Sequence, residues 1–204
     1  MPRPPVLLLA LLSLCMAALL PAEVMAAADI AAAAQTTPPI EDRMPEVLPS
    51  QEFRQVLARV GDDLYIGGQP TEQGLRDLRQ QGVTTVINLR THAEMNDRSI
   101  VPFDEAGLLE ALGMRYIHIP SGGPETPYSA AMVERFAAAL AGADGKVLLH
   151  CTVAWRASHL YSAYLYRHAG LSLDAAVAHG RAINLGQWPL EGFLGEPISF
   201  EVAD

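Results

Sequence analysis

The run Val147-Leu148-Leu149-His150-Cys151-Thr152-Val153-Ala154-Trp155-Arg156-Ala157-Ser158 constrains this chain more than any other stretch. A short apolar segment ends in His-Cys. An Arg stands five places after the Cys, and apolar residues then recur at helical spacing from Leu160. That order describes a strand, a tight loop and the first turn of a helix. A thiol in such a loop lies under backbone amides and at the positive end of a helix dipole, and both favour the thiolate. Arg156 adds a planar, permanent charge that can take two oxygens of an anion. A strand feeding a helix in this way needs partner strands and covering helices, and the remaining sequence supplies them.

Phe53 to Val60 alternates weakly, Gly61-Asp62-Asp63 turns, and Leu64-Tyr65-Ile66 resumes, which reads as a β-hairpin at a sheet edge. Thr71 caps a helix whose face carries Leu75 and Leu78 and which Gly82 closes. Val83 to Leu89 is a β-rich run ending at Arg90, and Thr91 to Ser99 reads as loop. Phe103 to Leu112 is helical with Gly113 as its stop, and Tyr116 to Ile119 is a short strand ended by Pro120. Thr126 with Pro127 opens a helix carrying Met132, Phe136 and Leu140. Beyond the Cys loop one helix stops at Gly170 and another, capped by Ser172, runs to about Ile183. The tail, with Trp188, Pro189, Phe193 and Pro197, is expected to pack over the core as irregular chain or short helical turns.

The expected order is β-β-α-β-α-β-α-β-α-α. Strands alternating with helices imply an α/β fold, a mostly parallel sheet flanked by helices on both faces. Ligands bind such sheets beyond the carboxyl ends of the strands. Cys151, Arg90 and Gln69 each follow a strand and are expected to gather on that edge.

The N-terminus has the layout of a secretory signal peptide. Arg3 gives the positive start, Val6 to Leu20 is apolar apart from Ser13, and Val24-Met25-Ala26 offers small residues for cleavage before Ala27. A membrane anchor wants about 20 apolar residues, and this run is shorter and followed by Pro21 and Glu23. A lipoprotein site at Cys15 is disfavoured by bulky Leu14, and no twin-Arg pair is present. The expectation is residues 1–26 as signal peptide, 27–50 as a flexible leader rich in Ala, Thr and Pro, and 51–204 as one domain. The protein is then secreted or periplasmic, with no stable membrane span in the mature chain. Cleavage removes Cys15 and leaves Cys151 as the lone thiol in an oxidising compartment, a mark of reactivity. Net charge is −9, which argues against a nucleic-acid surface.

A Cys-x4-Arg loop between strand and helix makes a nest of backbone N–H groups that can hold an oxyanion while the thiolate attacks its central atom. This needs no cofactor. The six His residues are scattered without ligand spacing, so no metal site is expected.

His150-Cys151-x-x-Ala154-x-Arg156 resembles the signature loop of the cysteine-based protein tyrosine and dual-specificity phosphatases. The nearest likeness is to their bacterial branch, the phosphatase-like domain of beta-lactamase-hydrolase-like proteins. Leu64-Tyr65-Ile66-Gly67-Gly68-Gln69-Pro70-Thr71 is similar to that branch's opening strand and turn, Gly82 to Arg90 to its second strand, and Tyr116-Ile117-His118-Ile119-Pro120 to the strand before the acid-bearing loop. The resemblance covers roughly residues 53–183 and implies a tyrosine-phosphatase-like fold. It implies Cys151 as the nucleophile that forms a phosphocysteine, and Arg156 as the group binding phosphate and transition state. It also implies that the N–H groups from Thr152 through Val153, Ala154 and Trp155 to Arg156 cradle the oxygens, with His150 supporting the thiolate from behind. The partner would be a phosphorylated substrate or other oxyanion. Gln69 and Arg90 are candidates for the pocket rim.

The sequence departs from the family pattern in several places. The usual loop has five residues between Cys and Arg, and here there are four, a length also used by rhodanese-like sulfurtransferases. Ala154 stands where Gly is familiar, and bulky Trp155 precedes the Arg. The hydroxyl residue that usually follows the Arg is Ala157, with Ser158 one place later. Phosphatases carry an Asp acid on the loop after the strand equivalent to Tyr116–Ile119. Glu125 is the carboxylate there, with Asp97 and Asp104 as fallbacks. A sulfurtransferase using a Cys151 persulfide and an anion-binding pseudophosphatase are therefore the alternative readings. Tyr161, Tyr164 and Tyr166 read as packing residues.

Overall fold

A computed structural model of the chain describes residues 43–186 and 189–198. Six strands form one sheet: β1 (Glu46–Leu48), β2 (Leu57–Val60), β3 (Leu64–Gly67), β4 (Val83–Asn88), β5 (Arg115–His118) and β6 (Lys146–His150). Their order across the sheet is β1-β2-β3-β6-β4-β5. β3, β6, β4 and β5 run parallel, and β1 and β2 extend the β3 side antiparallel. The helices of the described residues are α1 (Glu72–Gln80), α2 (His92–Asn96), α3 (Glu105–Ala111), α4 (Ala130–Ala141), α5 (Trp155–His168), α6 (Leu173–Arg181) and α7 (Leu190–Leu194).

Side chains alternate across the sheet, because successive strand residues point to opposite faces. Ile66, Ile87 and Leu149 face one core, completed by Phe136 of α4, Leu160 of α5, Val177 of α6 and Phe193 of α7. Tyr65, Val86 and Leu148 face the other, filled by Leu75 and Leu78 of α1 and Leu109 of α3. With both faces covered, the parallel strands read as near-continuous apolar runs. The register sets Gly67, His150, Asn88 and His118 in one row across four strands. Cys151 is therefore the first residue beyond the carboxyl end of a central strand.

Three local expectations change. Glu46–Leu48, assigned above to the leader, is an edge strand paired with β2, with Glu46 bound to Arg59 at 2.7 Å. It is three residues long with Glu46 and Val47 exposed, too short for a readable alternation. The segment 91–99 is not all loop, because it holds α2, a five-residue helix that buries nothing and so shows no apolar period. The helix opened by Thr126 and Pro127 begins instead at Ala130 with Ser129 as N-cap. Thr126 pairs back to Gly122, its Oγ1 donating to the Gly122 carbonyl at 2.7 Å, and so closes a tight loop. The proposed signal peptide, residues 27–42 and Trp188 lie outside the described residues.

Candidate active site

The Cys loop is anchored on its outer side. Cys151 N–H donates to the Gly67 carbonyl at 3.3 Å and Gln69 N–H to the Thr152 carbonyl at 3.0 Å, while Asn184 Nδ2 donates to the Val153 carbonyl at 2.6 Å. The C=O and N–H of a trans peptide point in opposite directions. The amides of Val153 and Ala154 therefore face away from these anchors. Ala154 is the N-cap of α5 with φ 62° and ψ 0°. This is the left-handed conformation that favours glycine, and it accounts for the Gly familiar at this place in the family pattern; an L-residue there costs about 1–2 kcal/mol. Gly68 is needed at the closest crossing: a Cβ on it would meet the Arg54 carbonyl oxygen at 1.8 Å.

Cys151, Thr152, Val153, Trp155 and Arg156 form one side of a cleft of about 460 Å³. Thr91 and Glu94, from the start of α2, and Gly122, Gly123 and Tyr128 form the rest. Cys151 is nearly buried at this cleft and makes no disulfide.

Arg156 is held in place by its surroundings. NH2 donates to Glu94 Oε1 and to Thr152 Oγ1, both at 2.8 Å. NH1 donates to Glu94 Oε2 at 2.9 Å and to the Ser121 carbonyl at 2.8 Å. The pairing with Glu94 is thus two-pronged, the geometry that fixes a guanidinium most firmly. Among the described residues Nε makes no hydrogen bond and remains a donor for a ligand. Burial disfavours the Glu94 charge. The Arg156 hydrogen bonds, the Thr91 backbone N–H, the Arg156 charge and the Thr152 hydroxyl outweigh that and hold its carboxyl at about 2. Burial likewise disfavours the Arg156 charge, but the Glu94 hydrogen bond and the charges of Cys151 and Glu94 raise its pKa.

Behind the loop lies a buried polar chain. His150 Nε2 and Glu105 Oε1 are 3.0 Å apart, with both side chains sealed from water. Glu105 also accepts from Asn88 Nδ2 at 2.9 Å and Gln69 Nε2 at 2.8 Å. Gln69 Oε1 accepts from Arg90 NH1 at 2.9 Å, and Arg90 Nε stands 3.3 Å from Glu94 Oε1. Burial raises the Glu105 carboxyl, but pairing with His150 and the hydrogen bonds of His150, Gln69 and Asn88 carry it below its ordinary value. Charge thus alternates from Glu105 through Arg90 and Glu94 to Arg156. Gln69, Arg90 and His150 sit in this buried support and do not line the cleft.

The carboxylates named as acids stand elsewhere. Glu125 is exposed and lines a neighbouring cleft of about 260 Å³ with His92 and Thr126. Asp97 is exposed and bonds Ser99, and Asp104 is exposed at the N-cap of α3. Ser158 Oγ donates to the Trp155 carbonyl at 2.9 Å and is buried away from the cleft. Trp155 both walls the cleft and packs, its ring edge-on to His159 at 5.1 Å. Tyr161 and Tyr164 pack, the latter edge-on to Phe136. Among the described residues no cluster of His, Cys, Asp or Glu could hold a metal ion.

Among the site residues that escaped the sequence reading are Glu94, Glu105 and Tyr128. Thr91-His92-Ala93-Glu94 is a T-x-x-E capping box, and both of its reciprocal hydrogen bonds form. That signal was available and would have placed Glu94 on an ordered helix start. Nothing local marks Glu105 or Tyr128.

The family model described as "DSP-PTPase phosphatase fused to NAD+ Kinase" matches residues 51–191. The chain belongs to this family. A putative phosphatase of Shewanella putrefaciens CN-32 is 30% identical, with TM-score 0.55 over 71% of this chain and 91% of that one. The Beta-lactamase hydrolase-like protein of Xylella fastidiosa is 28% identical over 133 residues, 64% of this chain. The match spans only 30% of that longer protein. At lower identity the fold is shared with TpbA of P. aeruginosa, solved in complex with pTyr (18% identity, TM-score 0.51, 69% of this chain and 78% of that one). It is shared too with PTPMT1, solved in complex with PI(5)P (16%, 0.56, 68% and 92%). The α/β architecture expected from the sequence is thus that of the tyrosine-phosphatase-like DSP-PTPase proteins. Among the described residues no helix is long and apolar enough to cross a membrane.

Proposed function

We propose that the protein is a secreted cysteine-dependent phosphatase that hydrolyses phosphomonoesters of the phosphotyrosine or dual-specificity type. The observation that carries this is the meeting of Cys151 with a two-pronged, immobilised Arg156 in one cleft at the carboxyl edge of the sheet. The Cys151 thiolate attacks phosphorus, an S–P bond forms and the ester P–O bond breaks. Arg156 Nε and the loop amides receive the charge on the phosphoryl oxygens, where preorganised donors act most strongly. Water then cleaves the phosphocysteine and releases inorganic phosphate. Glu94 keeps the guanidinium in position throughout and stays ionised. Secretion rests on the sequence of residues 1–26, and N-terminal sequencing of exported protein should begin at Ala27; a retained Met1 would refute it.

The test is turnover of p-nitrophenyl phosphate beside Cys151→Ser. The expected result is phosphate release by the unmodified protein and none by the variant. Release that survives Cys151→Ser would remove the cysteine mechanism. The four-residue Cys-to-Arg spacing favours the sulfurtransferase as second reading, and thiocyanate formation from thiosulfate and cyanide, without phosphate release, would establish it instead.

A further inference from the structure

Departure of an alkoxide or phenoxide needs a proton, and the cleft must supply it. Of the ionisable side chains lining it, Cys151 is the nucleophile and Arg156 is permanently charged. Glu94, at about 2, has no proton to give at neutral pH and is tied to Arg156 through both oxygens. Threonine hydroxyls and an indole are far weaker acids than a phenol. That leaves Tyr128.

Its placement suits the task. Tyr128 belongs to the loop between β5 and α4 and lines the same cleft as Cys151. Its ring is wedged against α7: the Phe193 ring lies 5.0 Å away, and a Cβ on Gly192 would come within 2.6 Å of Tyr128 Cβ. A Cβ on Gly122 would stand 3.0 Å from Tyr128 Oη, so the hydroxyl lies over a glycine that itself lines the cleft. Gly122 has φ 106°, and its two bonds to Thr126 hold the loop closed under the ring.

The geometry points to Tyr128 as the proton donor to the leaving oxygen, in the place where related phosphatases are expected to use a carboxyl. This rests on the phosphatase reading and deepens it. In the first step Cys151 Sγ bonds to phosphorus, the P–O bond breaks, and the leaving oxygen takes the Tyr128 Oη proton. In the second, the tyrosinate takes a proton from the attacking water as the S–P bond breaks, which restores the phenol and the thiolate. The charged groups acting on Tyr128 are Arg156 and Cys151 from the loop and helix after β6, and Glu94 from α2; α7 presents Phe193 and Gly192 to it. Burial raises the phenol, Arg156 opposes this, and Cys151 and Glu94 add to it, so the proton is retained beyond the neutral range.

The experiment compares kcat/KM for phenyl phosphate, whose leaving group ionises near ~10 like a tyrosine, with 2,4-dinitrophenyl phosphate, whose leaving group needs no proton. Tyr128→Phe keeps the ring on Phe193. It should lower kcat/KM about 100-fold for phenyl phosphate and less than about 3-fold for the dinitrophenyl ester. The unmodified protein should also hold its phenyl phosphate rate level between about pH 7 and 9, where a carboxyl donor would lose roughly tenfold per pH unit. Equal losses on both esters, no loss on phenyl phosphate, or the tenfold alkaline slope would each overturn the assignment. Cys151→Ser separates the two claims. If it is inactive while Tyr128→Phe behaves as the unmodified protein, only the Tyr128 assignment falls. If Cys151→Ser still turns over the dinitrophenyl ester, or if the unmodified protein cleaves neither, the phosphatase reading falls and the assignment with it.

Discussion

Glu94→Gln removes one charge from the pair that holds Arg156 while keeping the shape of the side chain. In the folded protein the Glu94 carboxyl lies at about 2, against an ordinary value of 4.5. That drop corresponds to roughly 3 kcal/mol of stability at neutral pH. A quarter of the Glu94 side chain is exposed, so water screening reduces the expectation to roughly 2 kcal/mol. Because the folded value is depressed, the contribution is complete above about pH 4.5 and is lost as pH falls toward about 2. The assay is urea unfolding of both proteins at about pH 7 and about pH 3. The variant should be roughly 2 kcal/mol less stable at the higher pH, and the gap should shrink to less than half at the lower. A gap below about 0.5 kcal/mol at pH 7, or one equal at both pH values, would refute the claim that the ionised pair, rather than side-chain packing, holds Arg156.

Gly68→Ala drives a methyl group into the Arg54 carbonyl and toward the Thr152 carbonyl. It should cost at least about 1–3 kcal/mol and weaken inorganic phosphate binding, read by thermal melts with and without phosphate. Glu105→Gln turns an acceptor of three hydrogen bonds into a group with its own N–H donors in a sealed site. Roughly 3 kcal/mol should be lost in denaturant titration, and a loss under about 1 would contradict an ionised Glu105. Ala154→Gly relieves a left-handed residue worth about 1–2 kcal/mol but forfeits a buried methyl and adds chain entropy of similar total size. Its melting point should therefore stay within the equivalent of about 1 kcal/mol, and a loss above about 2 would show that the Ala154 methyl is essential to the core.

The central strands were legible as near-continuous apolar runs, Val147 to Leu149 and Val83 to Leu89, because both of their faces are buried, and the long helices by one apolar face each, Met132-Phe136 and Leu75-Leu78. The elements that escaped bury too little to show one. Glu46–Leu48 is a three-residue edge strand with two exposed residues, and His92–Asn96 buries no residue at all. Its capping box was local and readable, so Glu94 was open to detection. Glu105 was not, because it reads as an ordinary acidic first-turn residue until the fold seals it against His150, 45 positions away.

The sequence alone determined the strand–loop–helix that presents Cys151 and Arg156, since the apolar run, the short loop and the helical period all act within a few residues. It also determined the parallel sheet, since strands alternating with helices leave few other ways to bury both faces. The tertiary structure decided what surrounds the thiol. Glu94 reaches Arg156 across 62 positions, and Tyr128 lines the cleft with Phe193 of α7 packed against its ring. Those contacts depend on how separate elements dock, and no pattern within either segment encodes them.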